Sequence, residues 1–275
     1  MRLFLIPVLA AALAMPAAAQ APAAVPEWRT PDPENLLVID TSKGRVIVEM
    51  SPVAADAHVE RIKLLARRGF YNDLKFFRVI DDFMAQTGDP QNTGEGASEL
   101  PDLAAQFVFK RGAQTPFAAI VRSGSVVQGF IGSLPVMTQP DDLMMMMADG
   151  KVQGAGVFCP GVAGMARASE PDTGNSQFFL MRQHYPALNG RYTTWGRVIS
   201  GLDVVRAIKV GEPVEEPMDI MTRVRVMADI PAGERPTIQV QNTASPAYQT
   251  YAAGVRGRLG GAFSICDLEI AAQVR

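Results

Sequence analysis

A chain of 275 residues with 48% hydrophobic and 20% charged residues can bury a sizeable core, which excludes global disorder. The length exceeds one minimal domain and allows a single domain with additions. A net charge of -2 without a sustained basic run gives no electrostatic case for nucleic acid or an anionic membrane.

Arg2, the apolar run Leu3 to Met15 and the small residues Ala17-Ala18-Ala19 read as a signal peptide over 1–19, cleaved before Gln20. The run is too short to span a bilayer comfortably, so no stable membrane insertion is expected after cleavage. A periplasmic protein follows, with residues 20–34, rich in Ala and Pro, as a flexible lead-in. Leu36–Thr41 and Arg45–Met50 alternate as strands across Ser42-Lys43-Gly44, a hairpin. Pro52–Arg68 is helical, with Val59, Ile62, Leu65 and Ala66 at three- and four-residue steps and His58 on its surface.

Phe76 to Pro90 holds two short apolar runs around Asp81-Asp82, a strand, turn and strand. Arg78 shares a face with Phe76 and Ile80, and Met84 shares one with Gln86. A guanidinium among apolar groups needs a rim position or a partner. Arg78 therefore either pairs with Asp81 or Asp82 across the turn, or joins Gln86 in gripping a short peptide over Phe and Met.

Residues 91–163 are less readable. Gln106–Lys110 resembles a strand and Phe117–Val121 a short apolar run. Met144 to Met147, after Asp141-Asp142-Leu143, reads as a helical turn on the barrel or a hairpin tip, or else as an adaptable client surface. Beyond them, Gln177–Arg182, Thr194–Ile199 and Met221–Met227 are strands, and Leu202–Lys209 is a short helix. Many strands with two helices imply an antiparallel closed barrel. Residues 231–275 are too apolar for a loose tail. Thr237–Val240 suits a strand, Ala247–Leu259 a helix and Phe263–Ile270 a further apolar segment, all packed on the barrel. Cys159 and Cys266 form one disulfide or remain two buried thiols. With two histidines, His58 and His184, a zinc site has almost no ligands to draw on.

Phe77-Arg78-Val79-Ile80, Phe83-Met84-Ala85-Gln86-Thr87-Gly88-Asp89, Gly164-Met165-Ala166-Arg167-Ala168 and Asn175-Ser176-Gln177-Phe178-Phe179 come in order at compatible spacings. Together with the later Leu188-Asn189-Gly190 and Gly196-Arg197-Val198, they resemble the cyclophilins, the peptidyl-prolyl cis-trans isomerases, over roughly Leu36 to Ile230. The resemblance implies a mainly β fold: a closed eight-stranded antiparallel barrel capped by two helices, spanning 35–230. An insertion within about 91–161 and a C-terminal extension over 231–275 are added to it.

The resemblance also implies isomerisation of Xaa-Pro bonds without metal or cofactor. Arg78 is the expected donor to the prolyl nitrogen, and Gln86 holds Arg78 and the substrate carbonyl. Phe83, Met84, Phe179 and Leu188 line the proline pocket. Gln177 and the backbone of Ala166 and Arg167 orient the peptide, and Tyr192 offers a hydroxyl where a His is common. Ala187 stands in place of the tryptophan that favours cyclosporin. The expected partners are proline-containing peptides and unfolded or newly translocated proteins. The other reading is a non-catalytic peptide-binding chaperone on the same scaffold.

Overall fold

The computed structural model describes residues 25–275; the expected signal peptide, 1–19, lies outside the described residues. A strongly curled, fully antiparallel sheet carries the molecule. Its strands run in the order Leu74–Lys75, Ile220–Val226, Leu36–Thr41, Gly44–Met50, Thr194–Ser200, Val162–Met165, Phe178–Met181, Met84–Thr87 and Arg78–Val79. The sequence expectation of a closed eight-stranded barrel is corrected here. The sheet has nine strands, and among the described residues no ladder joins its two edges. The edge strands are instead consecutive in the chain, linked through Phe76-Phe77, and the Thr87 hydroxyl donates to the Lys75 carbonyl at 2.8 Å.

Helix α1 spans Pro52–Arg67, opened by a proline in its first turn, where a missing N–H costs nothing. It buries Val59, Ile62, Leu65 and Ala66 against the concave side of the sheet with Trp195, Phe178 and Tyr71. His58 is not on the helix surface as expected. It is 1% exposed, with Nε2 at 3.0 Å from the Ala104 carbonyl. Helix α2, Leu202–Ala207, packs through Val205 and forms the second cap.

The segment between Gln91 and Gly161 builds a sheet of its own: Phe109–Arg111, Val152–Gly156, Leu134–Thr138, Val126–Ile131 and Phe117–Ser123, in that order. The four methionines sit at the tip between two of these strands, three on a 3-10 helix spanning Asp141–Met146 and Met147 at its end, with Met145 91% and Met146 78% exposed. Helix α3, Pro246–Leu259, lies on this inserted sheet: Tyr248 meets Phe130 edge to face at 5.9 Å, and Arg256 donates to the Ile120 carbonyl at 2.8 Å. Cys159 and Cys266 are joined in a disulfide, which ties the extension to the chain just before Val162–Met165.

A third sheet joins Trp28–Arg29, Ile238–Gln241 and Ala272–Val274. The lead-in expected to be flexible is thus structured from Trp28 on, and Arg29 pairs with Glu49 at 2.5 Å. No described helix is long and apolar enough to cross a membrane.

Candidate active site

Three adjacent strands place the candidate residues in one row. In the ladder Arg78 lies opposite Gln86, and Gln86 opposite Phe179. Directly opposed residues of antiparallel strands share a face, so the guanidinium, the amide and the phenyl ring stand side by side. Two residues on, Met84 faces Met181 on the same side, and both are buried.

The polar half of the row is a hydrogen-bonded chain. Arg78 Nη1 donates to Gln86 Oε1 at 3.3 Å, and Gln86 Nε2 donates to Gln177 Oε1 at 2.9 Å. Gln177 Nε2 then donates to the carbonyls of Gly94 and Gly96, each at 2.8 Å. These bonds fix which end of each amide is donor and which acceptor.

The loop bearing those carbonyls is organised by Asp89, which is fully buried. Its carboxylate accepts from the backbone N–H of Gln91, Thr93 and Gly94 at 2.7, 2.9 and 2.6 Å. Burial pushes the Asp89 carboxyl upward, but the backbone donors together outweigh it and hold it below the usual carboxylate range. Gly96 is required here by space: a Cβ would fall 1.8 Å from Asp89 Oδ1. Gly88 serves the same turn, with φ +90 and a Cβ position 2.4 Å from the Ser176 carbonyl. The chain from Asp89 through the loop and two glutamines therefore ends on Arg78.

The apolar half contains every residue expected to line a ring pocket. Met84, Phe179 and Leu188 belong to one cluster, with Phe83, Ala166 and Tyr192 packed at its edge. Met84, Phe179 and Leu188 are 1%, 5% and 8% exposed, so they form a base; Phe83 and Tyr192 are half-buried and form the sides. Phe158 backs Phe179 in a stacked arrangement at 5.9 Å, and Tyr192 meets it edge to face at 6.0 Å.

Two expectations are refined. The Ala166 N–H is taken by the Gln177 carbonyl at 3.0 Å, so this backbone donor is engaged within the chain. Arg167 holds its guanidinium 4.4 Å over the Tyr192 ring and bonds the carbonyls of Ala168, Ser169 and Arg191. It stiffens the Tyr192 wall more than it reaches outward. A surface cavity of about 420 Å³ continues the row past Gln86 and Gln177, between Gly94–Ala97 and Ala166–Ala168.

Arg78 does not pair with Asp81 or Asp82. Asp81 takes Arg182 at 2.5 Å, while Arg78 Nε donates to Glu212 Oε1 at 2.5 Å. Glu212 was missed by sequence reasoning because its loop, Glu212-Pro213-Val214-Glu215-Glu216-Pro217, offers three equivalent carboxylates far along the chain. The ordering role of Asp89 was also missed, although the shared block contains it. Among the described residues no group of three or more His, Cys, Asp or Glu is arranged to hold a metal.

A family model described as cyclophilin type peptidyl-prolyl cis-trans isomerase/CLD matches residues 36–227. A probable peptidyl-prolyl cis-trans isomerase of Brucella suis is 34% identical over 195 residues, covering 67% of this chain and 76% of the relative. The human peptidyl-prolyl cis-trans isomerase-like 1 is 29% identical over 215 residues, covering 77% of this chain and 99% of the relative. Among solved structures, a cyclophilin from Hirschia baltica superposes with a TM-score of 0.82 at 34% identity, covering 90% of this chain and 93% of that one. The last likeness takes in more of the chain than residues 36–227. Curled sheet, helical caps and shared sequence agree: this chain belongs to the cyclophilin-type peptidyl-prolyl cis-trans isomerases.

Proposed function

We propose that the chain accelerates rotation about Xaa-Pro bonds at the row Arg78, Gln86 and Phe179, without a covalent intermediate. The barrier to be lowered is about 18–20 kcal/mol, set by amide resonance, and uncatalysed exchange takes about 10–100 s. In the twisted amide the nitrogen turns pyramidal and gains a lone pair. A donor aimed there stabilises the transition state and not the planar ground state. Arg78 is that donor. Its Nε and Nη1 are engaged within the chain, while Nη2 meets no acceptor among the described residues.

The prolyl ring rests on Met84, Phe179 and Leu188 between Phe83 and Tyr192, where exclusion of water weakens the charge-separated planar amide. Gln86 and Gln177 hold the substrate carbonyl and backbone, and the Ala166 carbonyl receives a peptide N–H. A charge-assisted hydrogen bond is worth about 1.5–3 kcal/mol, about one to two decades of rate. The apolar base and peptide positioning supply the remainder.

The observation that carries this reading is the unbroken hydrogen-bonded chain from Asp89 to Arg78 beside the apolar cluster. Exchange NMR on an Ala-Pro peptide tests it. Added protein should raise the cis-trans exchange rate and shift the side-chain amide signals of Gln86 and Gln177. Unchanged exchange with unchanged amides would refute the assignment.

The clients are proline-containing segments of unfolded or newly translocated proteins in the periplasm of a bacterium. The signal-like residues 1–19 and the Cys159–Cys266 disulfide both suit an oxidising, exported setting. The exposed Met145 and Met146 favour a second reading, in which the inserted tip holds apolar clients as a chaperone. In that case aggregation suppression survives Arg78→Ala and disappears when the tip is shortened.

A further inference from the structure

The segment after α2 returns to the edge of the curled sheet and runs along the strand that bears Arg78. The Val79 N–H donates to the Gly211 carbonyl at 2.8 Å and the Gly211 N–H to the Val79 carbonyl at 2.9 Å. The Val214 N–H donates to the Phe77 carbonyl at 2.9 Å, and the Val214 side chain is 2% exposed within the main core. Glu212 is therefore fixed from both sides, and its carboxylate reaches Arg78 Nε at 2.5 Å.

Arg78 needs such a fixture. Its strand is two residues long and stands at the sheet edge, and its side chain is 37% exposed on a stem with several rotatable bonds. Gln86 alone touches one terminal nitrogen and leaves the guanidinium free to swing about that contact. A second contact at Nε, on another flank of the planar group, sets both its plane and its direction. An ion pair this exposed contributes little to stability, so its consequence is geometric.

We infer that Glu212 is a positioning residue: by clamping Arg78 Nε it aims the free edge of the guanidinium at the prolyl nitrogen. The inference rests on the assignment of Arg78 as the donor, and it adds a specific carboxylate from outside the shared sequence blocks. Pre-set donor geometry raises the rate of the chemical step with little change in substrate affinity.

The test combines kinetics with arginine-detected NMR on the full-length protein. Glu212→Ala should lower kcat about three- to tenfold with KM nearly unchanged, and should shift the Arg78 Nε–H resonance and speed its exchange with water. Glu212→Gln keeps an acceptor oxygen and should recover most of both effects, which a general loss of loop structure would not. A Glu212→Ala protein with the wild-type kcat, or with an unshifted Arg78 Nε–H signal, overturns the clamp. Arg78→Ala, measured alongside, separates the two levels. If it is slow while Glu212→Ala is not, only the clamp fails; if it is as fast as wild type, the donor assignment fails with it.

Discussion

The polar corner around Arg78 and the lobe formed by the insertion and the C-terminal extension are built by opposite means. At the corner, side-chain hydrogen bonds fix the groups, and the strand that carries Arg78 is only two residues long. In the lobe, Phe130, Val136, Tyr248, Ala252 and Val255 are buried together, and a disulfide spans 107 residues of sequence. Aim is what the corner supplies; rigidity is what the lobe supplies. The two meet at Phe158, which backs Phe179 from the lobe side and lies next to Cys159. Neither addition would bury its apolar face alone, which explains why the insertion and the extension are found packed on each other.

This contrast predicts separable losses. The largest effect on stability belongs to the lobe. Phe130→Ala should cost about 3–5 kcal/mol in chemical denaturation, with kcat/KM, measured well below the unfolding transition, changed by less than about threefold. A decade of lost activity in that variant would mean that the lobe aims the site as well as supporting it.

Gly96→Ala probes the corner next. Its new methyl group would displace the Asp89 carboxylate and with it the carbonyls that hold Gln177. We expect a stability loss of about 1–3 kcal/mol and a fall in kcat/KM of about a decade. Intact activity would show that the glutamine chain does not depend on the loop.

The portions visible in sequence follow the same division. Arg78, Gln86, Gln177 and Phe179 could be grouped because strand alternation and the shared blocks are local properties. The hairpin Leu36–Thr41 with Gly44–Met50 and the buried stripe of α1 were readable for the same reason. The lobe was readable only in pieces: the helix Ala247–Leu259 and the apolar run Phe117–Val121 were visible, but not that they pack together. Val126–Ile131 packs through Phe130 on Tyr248 of a helix that begins at Pro246, and Phe117–Ser123 receives Arg256 from the same helix. No local pattern announces a partner at that distance. Glu212 and the buried position of His58 were hidden likewise, since each depends on a contact between remote segments.

His58 gives the smallest predicted effect. Burial lowers its pKa below the ordinary histidine value, only partly opposed by the Ala104 carbonyl. The folded state therefore binds fewer protons than the unfolded chain. Stability should be full above about pH 6.5 and decline as the pH falls toward the lowered folded value. His184, also lowered by burial, acts in the same direction. Denaturation midpoints at pH 7.5 and 5.5 should differ more for the wild type than for His58→Gln. Equal differences would remove His58 from the pH response, while leaving the comparison between corner and lobe intact.

The central claim is that a guanidinium held beside an apolar base lowers the barrier to prolyl rotation. The most direct measurement is kcat/KM of Arg78→Ala on a prolyl peptide, paired with its unfolding midpoint. The account predicts a fall of about one to two decades with the midpoint almost unmoved, because the side chain is exposed and its ion pair weak. A variant that isomerises the peptide as fast as the wild type would contradict it.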